Sequence, residues 1–116
     1  MAFDGVLMSG SNYLQPLQFG EYTLSHETIG RSDSPMNQIA AHHGGNKIGH
    51  LRWDNESGEI KDVDVNEHYQ RQGIGRAMYN MGQGYDPAPQ HSDIRSDEGD
   101  SWAKSVGGYL PERMPS

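Results

Sequence analysis

The chain changes its period once. Up to Val65 it is written in short runs punctuated by turn formers, and beyond Gly73 it is written in an apolar stripe of helical spacing. Few architectures accept that order. From Glu21 to Ile29 the residues Tyr22, Thr23, Thr28 and Ile29 predict a strand, ended by the turn-rich loop Gly30-Arg31-Ser32-Asp33-Ser34-Pro35. Met36 to His43 and Lys47 to Asp54 flank Gly44-Gly45-Asn46, the mark of a hairpin. Asn55-Glu56-Ser57-Gly58 closes a second hairpin into Glu59 to Val65, where Val63 and Val65 share one face and Asp62 and Asp64 the other. Ile74, Ala77, Met78 and Met81 then stand at i, i+3, i+4 and i+7, one face of a helix stopped by Gly82 and Gly84. Pro87 and Pro89 stiffen a link to a short strand expected over His91 to Ile94. A second helix runs from Ser96 or Asp97 to Val106, with acids in its first turn, Trp102, Ala103 and Val106 inward, and Gly107-Gly108 as its stop.

These elements give an α+β domain over residues 21 to 108: an antiparallel meander, then a strand-loop-helix-strand-helix unit, in a mixed sheet. Residues 1 to 20 read as an irregular arm and 109 to 116 as a tail. The core is small, because Leu, Ile, Val and Phe together number 18 of 116 while glycine contributes 15 and proline 6. Such a chain is expected to draw stability from a ligand or from neighbours, as a homo-oligomer or part of a larger assembly. A formal charge of -7 argues against a general nucleic-acid binder. The absence of cysteine removes disulfides, thiol nucleophiles and cysteine-based zinc sites. The first eight residues carry neither a basic leader nor a span-length apolar run, so a cytoplasmic protein with no membrane partner is expected.

The most informative stretch is Val65-Asn66-Glu67-His68-Tyr69-Gln70-Arg71-Gln72-Gly73-Ile74-Gly75-Arg76. It reads as a strand end, a loop with two glycines and a helix N-terminus whose first amides have no intrahelical acceptor. Those amides and the helix dipole favour a phosphate or diphosphate, which the glycines let approach, and Arg71 and Arg76 add positive charge. No lysine followed by Ser or Thr makes it a Walker loop, and no third glycine makes it the dinucleotide fingerprint.

Gln70, Gly73 and Gly75, placed after a three-strand meander and preceded by Val65, resemble the signature of the GCN5-related N-acetyltransferases, over roughly residues 21 to 108. The resemblance implies a short, truncated member that binds acetyl-CoA and transfers its acyl group to a primary amine without a covalent enzyme intermediate. It implies that the backbone of Gln70, Arg71, Gln72, Gly73, Ile74 and Gly75 holds the diphosphate with Arg71 and Arg76 as helpers. It implies too that Val63 and Val65 pair with the pantetheine arm, an amide near Val65 polarising the acyl carbonyl. The tyrosine that many members place four residues before the glycine ending the last helix is missing, since that neighbourhood reads Trp102-Ala103-Lys104-Ser105. Tyr109 is the nearest phenol able to replace it. The pair of helices between the first two strands has no counterpart, only the loop at 30 to 35. These departures equally suit a non-catalytic module of the same fold, for example in a phage particle and then virion-associated, or a binder of another phosphate-bearing ligand.

Asp64, or its neighbour Asp62, is a candidate base for the amine, against the alternative of a solvated strand face, and Glu59 and Glu67 share that ambiguity. His91 is a second candidate base, against a structural role. His42, His43 and His50 lie on facing strands, but adjacent histidines point to opposite faces, so no metal site is expected. The run from His91 to Asp100 holds Ser, His and acids too close in sequence for a hydrolase triad, and Ser96 reads instead as a helix N-cap. Trp53 and Trp102 read as core anchors.

Overall fold

The computed structural model describes residues 16 to 114. Five strands form one antiparallel sheet in chain order: β1 (Leu17–Phe19), β2 (Tyr22–Arg31), β3 (Ser34–His43), β4 (Asn46–Asp54) and β5 (Ile60–Val65). A single 3₁₀ turn at Glu67–Tyr69 leads to α1 (Ile74–Gly82), and α2 (Asp97–Val106) follows. The α+β class and the strand-loop-helix order stand as expected.

Local chemistry explains most boundaries. Gly30 has φ +90°, and a Cβ there would sit 2.9 Å from the Ser34 carbonyl, so β2 and β3 run past the expected loop and turn over Ser32 and Asp33 alone. Alternation puts Tyr22, Leu24, Ile39, Ala41, Leu51 and Trp53 on one face, where α1 covers them with Ile74, Met78 and Tyr79. Ala77 and Met81 complete the stripe half-buried. Trp53 is fully buried and donates its indole N–H to the Pro87 carbonyl at 2.8 Å, which fixes the link between the helices against the sheet. Helix α2 packs on α1, and its Ser96 cap accepts from the Gly99 amide at 3.0 Å as the sequence predicts.

Three expectations are corrected. Residues 17 to 19 are not irregular: they pair with β2 as an exposed edge strand, while residues 1 to 15 of the proposed arm lie outside the described residues. The segment 91 to 94 is not a strand. Gln90 makes a parallel bridge to Glu59, with Ile60 N–H donating to its carbonyl at 2.8 Å, and pairing ends there. Beyond it side chains take over from backbone: His91 donates Nε2–H to the Gly107 carbonyl at 2.7 Å, and the Ser92 hydroxyl bonds both Glu59 and the Ile94 amide. The mixed sheet therefore reduces to an antiparallel one with a single parallel bridge. The stretch from 109 to 114 folds back on the 93 to 97 segment: Met114 N–H reaches the Asp93 carbonyl at 2.8 Å, and Arg113 bonds the Arg95 carbonyl and Asp97.

Candidate functional site

Because the chain separates from β5 after Gln90, a cleft of about 1060 Å³ opens between that edge strand and the wall made by 91 to 106. Its closed end is fastened by Glu59, whose carboxylate accepts the Ser92 hydroxyl at 2.5 Å and pairs with Lys61 at 2.9 Å. Those two bonds, Ser92 first, hold the Glu59 carboxyl below its ordinary value of 4.5. A depressed folded value stabilises the fold above the unfolded value and loses that contribution as pH falls through the folded one. We expect stability to fall below about pH 4.5 in the native protein, and Glu59→Gln to show a shallower fall, read by thermal melts between pH 3 and 6. Parallel curves would show that Glu59 is not a source of the acid sensitivity.

The open end is the glycine loop. Asn66 caps the 3₁₀ turn through the His68 amide at 3.0 Å, and Gln70 Nε2 donates back to the Val65 carbonyl at 2.9 Å, so the loop is tied to the end of β5. Arg71 at φ +66° and Gly73 at φ +81° then swing the chain into α1. For arginine that left-handed backbone costs on the order of 1 kcal/mol, strain that collects at functional loops. The first α-helical bond runs from Ala77 N–H to the Gly73 carbonyl at 2.9 Å, and no side chain caps the helix. The amides of Ile74, Gly75 and Arg76 thus have no acceptor among the described residues, and they form the positive end of the helix at the cleft.

Most of the residues singled out in the sequence are brought together here. Val63, Val65, Gln70, Arg71, Gly73, Ile74, Gly75 and Arg76 all line the cleft, as do Asp64 and His91. Gln72 does not; its side-chain oxygen accepts the Tyr22 hydroxyl, which turns it toward the sheet. Arg76 donates to the Ser105 carbonyl and so joins α1 to α2. Asp64 is exposed and its carboxylate has no hydrogen bond or ion pair among the described residues, whereas the Asp62 carboxylate is held by His50 Nε2 at 2.7 Å. His91 is 6% exposed and stacked on Tyr79 at 5.0 Å; with Nε2–H given to a carbonyl, the neutral ring has its lone pair on Nδ1. Tyr109 is 84% exposed and is not among the residues that line the cleft; Gly107 and Gly108 before it both stand at positive φ. His43 bonds Tyr69 and lies 3.7 Å from the Glu21 carboxylate, and among the described residues no three His, Asp or Glu side chains gather as a metal site.

Residues 11–85 match the acetyltransferase (GNAT) family. The chain belongs to that family. The match runs through the meander, the glycine loop and α1, and the GNAT fold generally serves acyl transfer from acetyl-CoA to an acceptor. No curated protein and no solved structure matches the chain. No helix among the described residues is long and apolar enough to cross a membrane.

Sequence reasoning missed three cleft residues of this GNAT domain. Ser92 fastens the closed end. Tyr69 lines the loop end, its hydroxyl bonded to His43 Nδ1 at 3.0 Å. Trp102, read as a core anchor, is only half-buried: it packs against the core with one side and faces the cleft with the other. Its position explains Gly75, where a Cβ would lie 2.6 Å from the indole Nε1. No local pattern announces that contact, because it joins residues 27 positions apart on two helices.

Proposed function

We propose that the protein is an N-acyltransferase that takes an acetyl group from acetyl-CoA and passes it to a primary amine. The observation that carries this reading is the row of amides at Ile74, Gly75 and Arg76, without acceptors among the described residues, opening on a cleft beside an edge strand. Those amides, with Arg71 beside them, suit the diphosphate; the cleft volume suits an extended cofactor-sized ligand. The edge of β5 at Val63 and Val65 offers backbone groups to the amide-rich pantetheine arm, in the manner of an added strand. A backbone N–H near Val65 would polarise the thioester carbonyl.

In this reading Asp64 accepts the proton that the amine gives up as its nitrogen bonds the acyl carbon and the carbon–sulfur bond breaks. Being exposed and uncommitted, it is available to an acceptor arriving from solvent. The departing sulfur takes its proton from water, since the Tyr69 hydroxyl in the cleft lining is bonded to His43 and Tyr109 lies exposed outside that lining. His91 Nδ1 is the second basic atom of the wall.

The chain has no cysteine, so thiol released from acetyl-CoA can be read directly with a thiol reagent over a panel of primary amines. Amine-dependent thiol release is expected. Asp64→Asn should lower kcat about 10²-fold or more with little change in acetyl-CoA affinity. Equal turnover by the variant would move the base to His91, and absence of thiol release with every amine would remove the transferase reading.

A further inference from the structure

Among the described residues, the indole Nε1 of Trp102 is the one buried side-chain nitrogen or oxygen with no hydrogen-bond partner. The fold does not neglect such groups elsewhere, since Trp53 donates its own indole N–H to the Pro87 carbonyl. Tyr79 and His91 hold the Trp102 ring edge-on, at centroid distances of 5.8 and 5.6 Å, and aim its nitrogen at the start of α1. There it lies against Gly75, whose missing side chain is what leaves it room. An indole N–H can only donate, so the partner it lacks is an acceptor. The neighbouring Ile74, Gly75 and Arg76 amides lack acceptors as well, and one group with several oxygen lone pairs would serve them together.

We propose that Trp102 is a ligand-binding residue whose Nε1–H donates to a phosphate oxygen of the diphosphate seated at the α1 N-terminus. This rests on the acyl-CoA reading above and adds to it a donor from the opposite wall of the cleft. Binding requires the ring to tilt off Gly75, and that residue has no side chain to obstruct the movement. Trp102 then ties the diphosphate to α2, so that the ligand joins the two helices as the Arg76 bond to Ser105 already does.

The chain has two tryptophans, so its ¹H–¹⁵N spectrum holds two indole signals, assigned by Trp102→Phe. Acetyl-CoA, ADP as a diphosphate probe and pantetheine as a probe of the arm are titrated in turn. The Trp102 signal should move saturably with acetyl-CoA and with ADP, and hold still with pantetheine, while that of Trp53 stays fixed. Trp102→Phe keeps an aromatic ring between Tyr79 and His91, and should weaken acetyl-CoA binding about tenfold, the worth of one hydrogen bond to a charged group. Acetyl-CoA binding with an unmoved Trp102 signal would overturn the proposal and leave the acyl-CoA reading intact. Movement with pantetheine but not ADP would overturn the diphosphate assignment. A folded protein that binds none of the three would overturn both. Should Trp102→Phe fail to fold, the wild-type signals decide, with assignment by through-bond spectra.

Discussion

Trp53→Ala should lower the stability of the domain by about 3–5 kcal/mol and its melting temperature on the order of 15 °C. Trp53 is the largest fully buried side chain among the described residues, and Leu24, Ile39, Leu51, Ile74 and Met78 are other large side chains buried with it. It lies under α1, where a Cβ on Gly82 would be 3.5 Å from its ring, and beside His26 and Tyr85. Its removal leaves a cavity that so small a core cannot refill and strands the Pro87 carbonyl without its donor. Domains of this size hold about 5–15 kcal/mol in all, so the variant would stand near the edge of folding. Urea melts of the two proteins measure the difference, and a loss below about 1 kcal/mol would mean that the core is not centred on this ring.

Gly75→Leu should abolish tight acetyl-CoA binding, weakening it by about two orders of magnitude or more, and cost about 1–3 kcal/mol of stability through overpacking. Its Cβ would press on Trp102 Nε1 at 2.6 Å and Cδ1 at 3.2 Å, so the ring must leave the wall, and the leucine would stand beside the amides assigned to the diphosphate. Gly73→Ala provides the contrast. A Cβ there meets only Phe19 at 3.5 Å, and its penalty is the left-handed backbone at φ +81°, about 1–2 kcal/mol of stability with affinity little changed. The two glycines of one loop are thus sensitive for different reasons, one for backbone conformation and one for space. Wild-type affinity in a folded Gly75→Leu protein would place the ligand away from the α1 N-terminus.

The four longer strands and both helices were legible because each is encoded locally: turn glycines between the runs, a 3.6 period from Ile74 to Met81, and Ser96 before three acids. The glycine loop was legible for the same reason, since an uncapped helix start after a strand is written in consecutive residues. The 91 to 94 segment was misread because its side chains hold it by long-range bonds, Ser92 to Glu59 and His91 to Gly107, that replace a backbone ladder. The side to which Tyr109 turns was not legible, because two glycines at positive φ precede it. Trp102 escaped because the same indole that fits a core stripe also faces a cleft, and only the placement of α2 on α1 decides between them.

The most direct test is calorimetric titration of the full chain with acetyl-CoA, with a thermal melt of the same samples. The account predicts saturable binding at one site and a gain of about 2.7 kcal/mol in stability at a hundredfold the Kd, with both lost in Gly75→Leu. A folded protein that gives no binding heat and no thermal shift would contradict it, and would leave a GNAT domain whose cleft serves some other partner.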